Sequence, residues 1–207
     1  MMRTTKSKTL QLTVLVFMTA LIFLFAFTPI GSIPIGPLVI TLNVIPVAIS
    51  AAALGPLGGA VAGGIFGLLS FLQCFGIGVP SAMGAVLVQI DPFLAFVQRF
   101  VPRLLDGFLA GLIFQAVRKH SNAYAACAVT GFCTAFLNTA FFMGTLVLLF
   151  GQTEYLQGLI GGRNILLFIC TFVGVNAVVE MAACTLVTGA IGSALYKARV
   201  LPEQSKG

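Results

Sequence analysis

The chain has 207 residues, of which 59% are hydrophobic and 8% charged, and its formal net charge is +6. Soluble domains carry about 25% charged residues, so a soluble globular protein is excluded and lipid must solvate much of this surface. The positive charge does not indicate nucleic acid either: Arg3, Lys6, Lys8, Arg118, Lys119, Lys197, Arg199 and Lys206 flank apolar segments, where the positive-inside rule places them.

Residues 1–8 form a basic cytoplasmic tail, and residues 9–197 read as one membrane domain. The expected fold is all-α, a bundle of six transmembrane helices with both termini cytoplasmic. Helices satisfy their own backbone groups in hydrocarbon, and the alternation of a membrane barrel is absent. The first span, 9–28, is about one bilayer thickness long. It has no small-residue cleavage site, so it reads as a retained helix rather than a signal peptide. Pro29, Pro34 and Pro37, with Gly31 and Gly36, exclude a helix and predict a rigid, extended loop over 29–37.

The second span, 38–53, contains Pro46 as a kink. Gly55-Pro56 turns the chain inside the uncharged segment 54–57. The third span, 58–75, carries Gly59, Gly63 and Gly67. Glycines four apart share one face and admit the backbone of another helix or of a partner subunit. A glycine-bearing loop, 76–92, ends at Asp91-Pro92. The fourth span, 93–117, is interrupted by Pro102, and a polar turn follows at 118–122. The fifth span is 123–150. A loop over 151–162 holds Glu154 and Tyr155, the sixth span is 163–196, and residues 198–207 form a second cytoplasmic tail. The three larger loops all fall on the outer side, which predicts a site open to the exterior.

Ionisable groups near or inside a bilayer are costly and are functional by default. Arg99, Arg103 and Asp106 share one face of the fourth span, where Arg103 and Asp106 either pair with each other or serve a ligand. Arg99 and Arg163 have no carboxylate close by in sequence and run against the positive-inside rule. Their guanidinium forks suit a carboxylate or phosphate; the alternative is snorkelling to headgroups. Asn176 and Glu180 lie one turn apart, Asn138 and Thr139 sit near the middle of the fifth span, and Gln73 and Gln89 border the second outer loop. These polar groups suit a small molecule bearing hydroxyls, an amide and a carboxylate.

No catalytic residues, cofactor or metal site are expected. The chain has no GxxxxGK[ST], HExxH or GxSxG pattern. Its five cysteines form no CxxC or Cys/His cluster, and His120 is its one histidine. No repeat relates spans one to three with four to six, as it would in many secondary transporters. A stand-alone transporter would have Asp106 and Glu180 as its membranous carboxylates for proton coupling; a membrane enzyme or assembly factor would have no motif behind it.

Residues 9–197 resemble the substrate-binding S components of energy-coupling factor (ECF) vitamin transporters. The resemblance rests on the proline-rich first loop, IGPLVITLNVIPVAI at 35–49, the Leu-Gly-Pro turn at 54–56, the glycine-rich third span and Val-Pro-Arg-Leu-Leu at 101–105. It is nearest to pantothenate-type members, with other water-soluble vitamins as the alternative. It implies a protein of the prokaryotic plasma membrane, in contact with lipid, that captures a vitamin at the outer face. It then docks on a transmembrane coupling subunit with two cytoplasmic ATPases and topples to release its cargo. No nucleic-acid partner is implied. The expected substrate-binding set is Arg99, Arg163, Arg103, Asn138, Asn176, Glu180 and Gln73. The expected docking set is Thr13, Ala20, Gly59, Gly63 and Gly67, although small residues four apart on the first helix are poorly kept: Leu24 follows Ala20 and Phe17 follows Thr13 at that spacing.

Overall fold

The structure, a computed structural model, describes residues 8–35 and 38–198. Its elements are α1 (Lys8–Phe27), β1 (Ser32–Ile35), β2 (Leu38–Thr41), α2 (Val44–Leu72), a 3-10 turn (Gln73–Phe75), α3 (Ala82–Ile90), α4 (Pro92–Arg118), α5 (Ala123–Phe150), α6 (Glu154–Ile160) and α7 (Ile165–Lys197). Among the described residues, five helical segments are long and apolar enough to cross a membrane: Lys8–Phe27, Val44–Phe75, Pro92–Arg118, Ala123–Phe150 and Asn176–Lys197. Large apolar side chains on their outer faces, such as Leu12, Phe17, Leu148 and Leu186, are exposed. Lipid is the solvent that such faces require.

α2 is not a straight rod. Gly55 sits inside it at φ +79° and ψ −168°, a backbone conformation open to glycine. Pro56 follows, and its missing N–H costs nothing at the start of a new helical arm. A straight helix of this length would hold its ends about 43 Å apart. Instead Thr41, just before α2, and Gln73, just after it, line the same cavity. Ala51 and Gly59 are also drawn together, so that a Cβ on Gly59 would lie 2.8 Å from that of Ala51. α2 therefore folds back on itself where the sequence places its turn, and both arms reach one end of the bundle.

The second arm lies antiparallel against α4. A Cβ on Gly59 would fall on the carbonyl oxygen of Gly107, and one on Gly63 on that of Arg103; one on Gly67 would lie 2.9 Å from the Phe100 Cα. Gly111 likewise opposes Pro56. Gly59, Gly63 and Gly67, expected among the docking residues, thus face α4 of the same chain. The close approach serves the interior, by fixing the α4 backbone at Arg99 and Arg103.

Three further expectations change. Leu38–Thr41 is a strand and not the start of a helix, and α2 begins only at Val44. β1 and β2 pair antiparallel, with Ser32 opposite Thr41; the run of β-branched residues Val39, Ile40 and Thr41 favours this pairing. The all-α bundle thus carries a short two-stranded ribbon. Second, Pro102 does not interrupt α4, which runs unbroken to Arg118. Third, the loops expected on the outer side contain helices. Ser81 caps α3 by accepting from the Gly84 N–H, and Thr153 caps α6 by accepting from the Leu156 N–H. Asp91 caps α4 by accepting from the N–H groups of Phe93 and Leu94, both at 2.9 Å. α3, α6 and the adjoining ends of α4, α5 and α7 share one apolar cluster built on Met83, Leu87, Met143, Phe150, Leu156 and Phe168.

Adding a methyl group at Gly63 or Gly107 forces α2 and α4 apart. Gly63→Ala and Gly107→Ala should each lower unfolding stability in detergent by about 1–3 kcal/mol, the usual cost of overpacking. Gly144→Ala, where nothing lies within 4 Å of the added Cβ, should be neutral or stabilise by roughly 0.5–1 kcal/mol. Thermal melts of the three variants check the contrast.

Candidate functional site

The cavity lies at the end of the bundle where β1, β2 and α3 gather. Its walls include Ser32 and Thr41 of the ribbon, Phe66 and Ser70 of α2, Gln73, Ser81 and Met83. From the long helices come Arg99 and Arg103 of α4, Asn138, Thr139 and Phe142 of α5, and Val173, Asn176, Ala177 and Glu180 of α7. Arg99 and Arg103 are one turn apart, which places both on the α4 face that looks into the cavity.

Both guanidiniums are buried, each with 5% exposure. Arg99 Nη2 donates to Ser81 Oγ at 3.2 Å, and Arg103 Nη1 donates to the Arg99 carbonyl at 3.0 Å. The Nε of each has no hydrogen-bond partner among the described residues. The Cys74 side chain lies beside Arg99, and aromatic rings lie close to both arginines. Arg99 lies 5.0 Å from the Phe142 ring centre; Arg103 lies 4.6 Å from that of Phe66 and 5.2 Å from that of Phe142. Neither arginine forms an ion pair among the described residues. Asp106 lies one turn beyond Arg103 and is buried, but among the described residues it does not pair with Arg103, and its Oδ1 has no hydrogen-bond partner. Desolvating an ion costs several kcal/mol, which only an opposite charge or dense hydrogen bonding offsets. Two such ions facing one cavity, with unused donors, form a seat for an anion that accepts in bidentate fashion.

The far wall is polar in the opposite sense. Glu180 is buried, and its Oε1 accepts from the backbone N–H of Thr41 at 2.8 Å. One contact thus ties α7 to the ribbon and presents a carboxylate to the cavity. Asn138 is buried with its Oδ1 unpaired, and Asn176 lines the wall one turn before Glu180. Gln73 donates to the Ala26 carbonyl at 3.0 Å and so joins the end of α1 to the end of α2. Such acceptors and amides suit the hydroxyl and amide groups of a small solute.

Seven residues singled out from the sequence thus meet at one cavity: Gln73, Arg99, Arg103, Asn138, Thr139, Asn176 and Glu180. Arg163 is elsewhere. It is exposed in the turn after the left-handed Gly161 and Gly162, and about 12 Å of helix separates Ile165 from Val173, the first α7 residue on the cavity wall. Thr13 and Ala20 lie on the exposed face of α1. Sequence reasoning missed Ser32, Thr41, Phe66, Ser70, Ser81 and Phe142. Ser81 had a signal, a serine just before an apolar run, which is the mark of a helix cap. Ser70 stands three residues before Gln73, on the same helix face.

A model of the family described as ECF transporter, substrate-specific component, matches residues 10–192 of this chain. The chain is also 30% identical over 200 residues to the pantothenate transporter PanT of Leuconostoc mesenteroides, a match that covers 91% of this chain and 93% of that protein.

The Thr41–Glu180 contact gives a direct test of the wall. A hydrogen bond to a charged group contributes about 1.5–3 kcal/mol. Glu180→Ala should therefore speed amide hydrogen exchange of the β2 segment by roughly tenfold or more. Unchanged exchange in mass-spectrometric peptides covering residue 41 would refute the coupling of ribbon and helix.

Proposed function

The chain belongs to the ECF transporter substrate-specific component family, and on that premise we propose that it is the high-affinity pantothenate-binding subunit of an ATP-driven importer. The observation that carries the substrate reading is the pair of buried guanidiniums, Arg99 and Arg103, facing a cavity without a carboxylate partner among the described residues. Pantothenate is an anion with a carboxylate at one end, an amide in the middle and two hydroxyls at the other. In this reading the carboxylate sits on Arg99 and Arg103, Asn138 and Asn176 serve the amide, and Glu180 accepts from a hydroxyl. The name of the Leuconostoc relative supports the same solute.

The folded-back α2 gives two crossings, so the proposed topology has six, with both termini cytoplasmic. The cavity end then faces outward, and the basic turn at Arg118 and Lys119 faces inward, as the positive-inside rule requires. The protein sits in the plasma membrane and hands its cargo to a coupling subunit with two ATPases, which supply the energy. Among the residues first considered for docking, Thr13 and Ala20 remain exposed on α1, and they belong to the proposed contact.

Titration calorimetry of the purified protein with pantothenate tests the substrate. Arg99→Ala and Arg103→Ala should each weaken binding by about 1.5–3 kcal/mol, the range for a charged hydrogen bond, whereas Arg163→Ala should bind like the parent. Parent-like affinity in both cavity variants would sink the assignment. Joint purification with an ATPase pair tests the transport role.

A further inference from the structure

Arg99 and Arg103 present a physical problem whatever solute they serve. They are like charges, one helical turn apart, buried, and without an ion pair among the described residues. Repulsion should drive them apart while no anion lies between them. Cys74 lies near both, and the aromatic ring placed against both is Phe142 of α5, whose ring centre is 5.0 Å from the Arg99 guanidinium carbon and 5.2 Å from that of Arg103. The face of an aromatic ring carries negative potential and attracts cations. Phe66 adds a second face to Arg103 at 4.6 Å, but Phe142 is the ring shared by both. Its backbone is held as well: Gln98, wholly buried on α4, donates to the Phe142 carbonyl at 3.5 Å, and the Thr145 hydroxyl lies 3.1 Å from the same oxygen.

We propose that Phe142 is a positioning residue, whose ring face serves as a shared counter-surface that holds the two guanidiniums side by side and turned toward the cavity. Its ring offers no hydrogen bond to a carboxylate, so it acts on an anion only through the arginines. It therefore sets selectivity for charge: without the ring face the pair splays, and a carboxylate loses its bidentate partners. A neutral solute of the same shape loses little. The ligand half of this statement rests on the pantothenate reading above; the charge-holding half does not.

The experiment uses Phe142→Leu and Phe142→Tyr in the full-length protein, with two probes: pantothenate, and its neutral alcohol analogue, in which a hydroxymethyl group replaces the carboxylate. Phe142→Leu should weaken pantothenate binding by about tenfold or more and change binding of the alcohol by less than about threefold. Phe142→Tyr, which keeps the ring face, should restore pantothenate binding to within about threefold. Equal losses for both probes, or no loss for either, would overturn the proposal. A thermal-melt cycle that combines Phe142→Leu with Arg103→Met needs no ligand. Phe142→Leu should cost less melting temperature once Arg103 is gone, because one of the charges it holds is absent; strictly additive effects would overturn the proposal. If the parent protein binds no pantothenate, the substrate reading fails, and the melt cycle still decides the role of Phe142.

Discussion

Two buried positive charges without an ion-pair partner among the described residues set the terms for the rest of this fold. Arg99 and Arg103 are held on α4, and α4 is held by a close contact with α2. Gly59, Gly63 and Gly67 let the second arm of α2 lie directly on the carbonyls and Cα atoms of α4. The arginine side chains reach into the cavity, where they meet the ring of Phe66 on α2 and that of Phe142 on α5. The bundle thus tolerates a charge arrangement that is costly without an anion, as the proposed anion seat requires.

The remaining elements serve the same cavity by different physics. Gly55 folds α2 back, so Ser70 and Gln73 reach the end from which Thr41 sets out. Ser81 has two tasks, as cap of α3 and as acceptor for Arg99. Glu180 joins α7 to the ribbon through a backbone amide and lines the same cavity as the arginines. The ribbon, α3 and three long helices are therefore linked through the groups that line the site. A change of position in any of them moves a wall of the cavity, which is a natural route by which occupancy is felt by the rest of the molecule.

Much of this was readable from the chain. An apolar composition with charges gathered at the ends of apolar runs implies helices in lipid, and Gly55-Pro56 marks the fold in α2. Residues as costly as Arg99, Arg103 and Glu180 stand out in a membrane helix, and all three line the cavity. What the sequence leaves illegible has definite reasons. Arg163 carries the same cost in sequence but sits in an exposed turn, because the helix-breaking Gly161 and Gly162 end α6 before it. Leu38–Thr41 has helix-compatible hydrophobicity, and only pairing with Ser32–Ile35 makes it a strand. Phe66 and Phe142 are two of 19 phenylalanines, and nothing local separates a ring that faces a guanidinium from one that faces lipid. The glycine ladder was legible as a contact surface, but whether it meets its own chain or another depends on tertiary folding.

The most direct measurement is an experimental structure of the protein with pantothenate bound. The carboxylate oxygens should lie within hydrogen-bond distance, about 2.7–3.2 Å, of the Arg99 and Arg103 guanidiniums, with a ligand hydroxyl against Glu180. A ligand bound in the reverse orientation, or one seated away from both arginines, would contradict the central claim that the unpaired guanidinium pair is the anion seat.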